Sequence, residues 1–300
     1  MSSSVAWGML FGIAAALSQS LSYIFSRLYV IRHPRAPGRL LVLSHLMMGL
    51  GALLVLPFAW TPEVPPLHVY IRPLLGTACF YAVGQAGLFI LMRRLGASRV
   101  APLLGFKIVV LAFIVVVFMH EHLSLRRGLA VLLCFAATLM LGYVGARMSR
   151  WSVVCLLVTC TGYSLSDLSI QALTRSLEPL NRIHAAVYGA AATYVLCGIA
   201  ASAVALILRR GVFEDWRIAL PFAAAWFVGM IFLFACFGAV GAVFGNILQS
   251  TRGLMSVVIS AILVHRGMHH LDDRMSRGQL ARRVAVAALM TLAIVLYVTG

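Results

Sequence analysis

The sequence predicts an all-α integral membrane protein with ten transmembrane helices, arranged as two inverted five-helix repeats. Three observations lead to this fold class: a highly apolar composition, ten long apolar runs, and two intramembrane cations at matched positions. Of the 300 residues, 62% are hydrophobic and 11% are charged, and the mean hydropathy is +0.98. A soluble domain of this length would need many more charged residues on its surface, so we expect the chain to lie in a membrane.

Each predicted helix is a continuous apolar run of roughly the length that a bilayer requires. About 20 helical residues, or 17–25 with tilt, cross roughly 30 Å of hydrocarbon. The ten runs are residues 6–26, 41–60, 73–91, 100–119, 129–144, 153–174, 185–208, 220–240, 244–264 and 284–298. The loops between them are short, so no separate soluble domain is expected.

The first five runs match the last five at low identity when residues about 144 positions apart are aligned. The offset is 144 for the first three pairs and 145 for the others: Trp7 with Trp151, Ser20 with Ser164, Ser22 with Ser166, Lys107 with Arg252, and His120 with His265. Each half has five spans, an odd number, so the second half must enter the membrane inverted relative to the first. We therefore predict two repeats, residues 1–150 and 151–300.

The two cations are the strongest sign of a functional site. Lys107, the only lysine, and Arg252 each lie within an apolar run, 13 residues before His120 and His265 respectively. A cation at this depth costs about 2.5–3.5 kcal/mol on insertion scales and usually marks a substrate or ion pathway. Two of them at matched positions predict a site at the interface of the repeats.

Further polar side chains recur at helical spacing within the apolar runs. Side chains three or four residues apart share a helix face, and lipid cannot satisfy their hydrogen bonds, so we expect them to face a central cavity. The candidate substrate-binding residues, with the two cations, are Gln19, Tyr23, Tyr81, Gln85, Lys107, Tyr163, Asp167, Gln171, Asn246, Gln249, Arg252 and Ser256. No catalytic residues are predicted, because no enzyme signature is found.

Two stretches around the fourth and ninth runs resemble a known family. They are residues 96–101 with 121–128 (Glu-His-Leu-Ser-Leu-Arg-Arg-Gly), and residues 252–258 (Arg-Gly-Leu-Met-Ser-Val-Val). The pattern is similar to the EamA-type module of the drug/metabolite transporter superfamily. His120 and His122 depart from its usual turn after the fourth helix, and Arg266 stands where the second copy would carry a glutamate. The resemblance implies ten helices and solute export or exchange by alternating access.

The charge balance indicates what such a protein would bind. Asp167 is the single carboxylate set against two cations at depth, so one positive charge is left without a partner. Because an arginine does not deprotonate, an anionic substrate group is the simplest partner. We therefore expect a secondary transporter whose small anionic or zwitterionic substrate is held by Lys107 and Arg252. Asp167 would recognise an amine or exchange a proton.

Other functions stay open at this point. Asp167 could pair with Lys107 or Arg252 and lock the bundle, in a lipid-handling or non-transporting membrane protein with a structural charge network. A membrane enzyme is a more distant alternative. A metal site built from the histidines near His120 and His265 is not expected, because inverted repeats would put the two groups on opposite membrane faces. No cofactor is predicted.

The expected partners are the small-molecule substrate and membrane lipids, with possible coupling to a proton or a counter-anion. The net charge of +16 does not indicate nucleic-acid binding, because the arginines are spread through the loops. We expect a multi-pass protein of a bacterial inner or plasma membrane. Seventeen arginines in the loops after the odd-numbered helices, against five in the others, favour external termini, whereas the resemblance implies internal ones.

Overall fold

The computed structural model describes residues 3–33, 37–95, 103–142, 149–208, 216–252, 254–255, 258–259, 262 and 277–300. The regular structure in these residues is helical, with no strand. We number the described helices α1 (Ser3–Arg32), α2 (Pro37–Ala59), α3 (Leu67–Leu95), α4 (Phe106–Phe118), α5 (Leu125–Gly142), α6 (Arg150–Ser176), α7 (Arg182–Leu208), α8 (Trp216–Val240), α9 (Ala242–Ser250) and α10 (Arg277–Thr299).

Five segments of these helices are long and apolar enough to cross a membrane. They are Ser3–Ser26, Gly38–Ala59, Arg150–Ser176, Arg182–Ile207 and Trp216–Val240. Phe106–Phe118 and Ala285–Thr299 are shorter apolar helices. The all-helical membrane class is thus confirmed, while the ten-span inverted arrangement stays a prediction.

The most extensive helix contacts join one predicted repeat to the other. α1 packs on α8, α3 packs on α6 and α2 packs on α7, while α5 packs on α10. Small residues let these backbones approach each other closely, as is usual for helices in membranes. At the crossing of α2 and α7, a Cβ atom on Gly49 would lie 2.6 Å from the Gly198 Cα. On α6, a Cβ atom on Gly162 would lie 2.7 Å from the backbone nitrogen of Gly84.

The two predicted spans that contain the cations are each interrupted by a turn next to the cation. The sequence predicts continuous spans over 100–119 and 244–264, whereas α4 begins only after a turn at residues 104–105, and α9 ends just before a turn at Thr251. At both points the backbone makes a three-residue hydrogen bond, from Lys107 N–H to the Leu104 oxygen and from Thr251 N–H to the Leu248 oxygen. Such tight turns inside a helical run often mark functional positions.

Both chain termini lie at the same end of the helix bundle. Val5, near the start of α1, and Val298, near the end of α10, line one cavity there. The adjoining connection between α8 and α9 is a single residue, Gly241, whose φ of +80° is readily adopted only by glycine. The side of the membrane on which this end lies stays a prediction.

Candidate functional site

Two serine hydroxyl groups hold the cation-bearing segments to helices of the opposite predicted repeat. The Ser164 hydroxyl of α6 donates to the backbone oxygen of Lys107 at 3.2 Å. The Ser20 hydroxyl of α1 donates to the backbone oxygen of Arg252 at 2.8 Å. Ser20 and Ser164 are 144 residues apart, and the two cations are 145 residues apart. The aligned serines therefore make the same contact to the aligned cations.

Lys107 forms a close ion pair with Asp167. Its Nζ atom lies 2.8 Å from Asp167 Oδ2, and the side chains of lysine and aspartate are only 13% and 8% exposed. The same carboxylate oxygen accepts a hydrogen bond of 2.8 Å from Asn246 Nδ2. The ammonium group also lies 6.0 Å from the centre of the Tyr163 ring. Asp167 thus neutralises Lys107, one of the two pairings that the sequence left open.

Arg252 is surrounded by neutral groups in the part of the chain that the structure describes. Its Nη1 donates to Gln19 Oε1 at 3.1 Å, and its guanidinium carbon lies 5.6 Å from the centre of the Tyr23 ring. Gln249 Nε2 donates to the same amide oxygen at 2.9 Å. No described carboxylate forms an ion pair with Arg252, whereas Asp167 pairs with Lys107. The two cations therefore differ sharply in their electrostatic surroundings.

An aromatic group with a buried histidine adjoins both cations. The Tyr81 hydroxyl accepts from Gln85 Nε2 at 2.6 Å and lies 3.0 Å from His45 Nε2. The Tyr81 ring lies 6.1 Å from the Tyr163 ring beside Lys107. On the other side, Tyr23 packs edge-on against Trp226 at 6.2 Å.

Sequence reasoning overlooked His45 and Trp226. The signal for His45 was present, because a histidine in an apolar helix is as exceptional as the lysine of α4. Trp226 gave no signal, since an aromatic residue in an apolar helix is ordinary. Its contact with Tyr23, and the hydrogen bond of 2.8 Å from its Nε1 to the Tyr194 hydroxyl, appear only in the fold.

One predicted site residue, Gln171, has no hydrogen bond to the network around the cations among the described residues. Gln171 Oε1 accepts a 2.7 Å hydrogen bond from the backbone N–H of Ala242, at the start of α9. This bond satisfies a buried helix-start donor, so Gln171 positions α9. Ser256 lies outside the described residues. The other predicted residues lie within the network around the two cations.

A cavity of about 380 Å³ opens at the end of the bundle that carries the termini. Its polar lining comes from Glu121, Arg127, Gln171 and Arg175. Gln171 is one helical turn from Asp167, so the lining of this cavity reaches to within one turn of the ion pair on α6. No cluster of metal-ligating side chains occurs among the described residues, and the predicted histidine group near His265 lies outside them.

Comparison with known proteins assigns the first half of the chain to a family. Residues 6–143 match the EamA-like transporter family of the drug/metabolite transporter superfamily. This stretch is an EamA module. No curated protein matches the chain. A solved crystal structure aligns with a TM-score of 0.64 and 14% identity over 97% of both chains, which shows a shared fold only.

The EamA match agrees with the resemblance read from the sequence and covers most of the first predicted repeat. With the five apolar candidate spans, it shows that the chain is a multi-pass integral membrane protein. The matched family is described as a transporter family, so transport is the function class to which this match points.

Proposed function

We propose that this EamA protein is a secondary transporter that moves a small anionic or zwitterionic metabolite by alternating access, with Arg252 as the main anion-binding group. One observation carries the proposal: Asp167 neutralises Lys107, whereas Arg252 has only neutral partners among the described residues. An unpaired cation at depth is costly, and arginine cannot escape the cost by losing its proton. A substrate anion would remove that cost.

The partners of Arg252 are suited to a temporary anion site. The Gln19 oxygen and the Tyr23 ring stabilise the guanidinium without neutralising it. A cation above an aromatic ring gains about 0.5–2 kcal/mol, less than a full ion pair with good geometry at the same depth. A carboxylate or phosphate would therefore bind Arg252 in preference to these groups, with two parallel hydrogen bonds.

The Lys107–Asp167 pair supplies a second element of the site. α9 connects it to Arg252, because Asn246 donates to Asp167 and Gln249 donates to the glutamine that holds Arg252. Residues three apart on a helix have Cβ atoms about 5–6 Å apart, so one small molecule can touch both regions. An ammonium group on a zwitterion, or a proton, would compete with Lys107 for Asp167. Lys107 would then be free to assist in anion binding.

Transport by reconstituted protein tests this function. Counterflow of labelled amino acids and small carboxylates into liposomes would be measured for wild type and for Arg252→Gln. Arg39→Gln is the matched control, because Arg39 lies exposed on α2. We expect the Arg252 variant to lose counterflow while Arg39→Gln retains it. Equal counterflow in all three proteins would refute anion binding at Arg252.

The alternative, a structural charge network, is supported by the close ion pair in which Asp167 already neutralises Lys107. In a lipid-handling or non-transporting protein, this pair would only fix helix positions. The double variant Lys107→Met/Asp167→Leu distinguishes a structural role of the pair from a role in transport, because it removes both charges together. Normal counterflow by this variant would assign the pair a purely structural role, whereas a folded but inactive protein would support its part in transport.

A further inference from the structure

Helix α1, which contacts Arg252, and helix α6, which contacts Lys107, present matching sets of side chains. On each helix one residue lies against the cation, the next is the serine bound to the cation's backbone oxygen, and a third follows one turn later. In matching order, 144 residues apart, the sets are Gln19, Ser20 and Tyr23 on α1, and Tyr163, Ser164 and Asp167 on α6.

The two sets differ in charge at their third position. Asp167 brings a carboxylate to within 2.8 Å of the Lys107 ammonium group. Tyr23, its counterpart, brings an uncharged ring to the guanidinium of Arg252. Arg252 therefore sits in the same arrangement as Lys107 with the carboxylate left out.

Gln19 is arranged as a replaceable partner of Arg252. Its amide oxygen accepts from both Arg252 Nη1 and Gln249 Nε2. Its amide nitrogen contacts only the Met230 sulfur, at 3.5 Å, in the described residues. A thioether is a weak acceptor, so the nitrogen itself loses little when the amide turns toward an arriving anion, and the anion would replace the Gln19 oxygen as the acceptor for Arg252 and Gln249. Gln19 would then donate to the anion that replaces its own oxygen at Arg252.

We propose that the substrate's anionic group is a carboxylate, bound between Arg252 and Tyr23 at the place that corresponds to the Asp167 carboxylate. This inference rests on the proposed function, in which Arg252 binds the anion. The Asp167 carboxylate shows how such a group is bound beside Lys107: it is planar, and one of its oxygens contacts both a cation and an amide donor. Arginine matches such a planar group with two parallel hydrogen bonds. The bound carboxylate would form an ion pair with Arg252 that matches the pair between Lys107 and Asp167.

Introducing a carboxylate at this position by mutation tests the placement. Tyr23→Asp puts an acidic group at the proposed position, and Tyr23→Asn removes the same ring without adding charge. Acetate, benzoate and inorganic phosphate would be titrated against the unfolding temperature of the purified variants. We expect Tyr23→Asp to bind acetate and benzoate about tenfold to a hundredfold more weakly than Tyr23→Asn, as the loss of a charge-assisted bond implies.

Each outcome of this titration has a distinct meaning. Equal binding by Tyr23→Asp and Tyr23→Asn overturns the placement, and stabilisation by phosphate without carboxylates overturns the chemical class. In either case a loss of anion binding in Arg252→Gln would leave the proposed function standing. Unchanged carboxylate binding in Arg252→Gln would refute the proposed function itself.

A second variant keeps the test decisive if Tyr23→Asp does not fold. Asp167→Ala removes the carboxylate and leaves space at the matching position beside Lys107, so that an external carboxylate can take its place. We expect acetate to raise the unfolding temperature of Asp167→Ala by more than that of wild type. An acetate response no greater than that of wild type would contradict the equivalence of the two positions.

Discussion

Removing the Asp167 charge should destabilise the protein strongly, because Lys107 would lose its anion while it stays buried. The two charged atoms lie 2.8 Å apart. At an effective dielectric constant of about 20, unit charges at that separation attract each other by about 6 kcal/mol. Desolvation offsets much of this attraction, but breaking one side of a buried pair typically costs about 3–5 kcal/mol. We expect Asp167→Asn to lower the free energy of unfolding by this amount.

A double-mutant cycle of Lys107→Met, Asp167→Leu and the double variant separates this ion pair from other effects of the substitutions. Lys107→Met/Asp167→Leu removes both charges, and we expect its free energy of unfolding to lie within about 1 kcal/mol of wild type. Unfolding by SDS in detergent micelles, followed by tryptophan fluorescence, measures all the variants in one assay. A decrease in the free energy of unfolding below about 1 kcal/mol in Asp167→Asn would refute the pairing. A decrease in the double variant equal to the sum of those in Lys107→Met and Asp167→Leu would refute it as well.

Four further variants test the packing and the positions of the helices. Gly49→Ala should lower the unfolding temperature, because its Cβ atom would lie 2.6 Å from a backbone atom of α7, whereas Gly51→Ala has open space and should be neutral or stabilising. Ser164→Ala should cost about 0.5–1.5 kcal/mol of unfolding free energy by removing the donor to the Lys107 oxygen. Gln171→Leu leaves a buried N–H of α9 unpaired and should cost about 1–3 kcal/mol in the same SDS assay; a neutral effect would contradict its positioning role.

The membrane class and the two cations could be predicted because each depends on local chemistry. Long apolar runs cannot be exposed to water, and an isolated lysine among aliphatic residues is exceptional wherever the helices pack. The alignment of Lys107 with Arg252 needed only the sequence. The alignment of Ser20 with Ser164 was also visible in the sequence, but their contacts with the cation segments depend on the fold.

The choice of partner for Asp167 could not be predicted. Face analysis places Asp167 on one side of α6, but the cation that it meets depends on how α4 and α9 cross that helix. The structure brings Lys107 to Asp167 and leaves Arg252 facing Gln19 and Tyr23. The interruptions of α4 and α9 were also missed, because hydropathy registers apolar content and not the local hydrogen-bonding pattern.

The most direct measurement compares the two cations in carboxylate binding. Benzoate would be titrated against the unfolding temperature of purified wild type, Arg252→Gln and Lys107→Gln. Anion binding at Arg252 predicts that the benzoate-induced shift disappears in Arg252→Gln and persists, in weakened form, in Lys107→Gln. A shift that persists in Arg252→Gln but disappears in Lys107→Gln would contradict it and assign the anion site to the lysine.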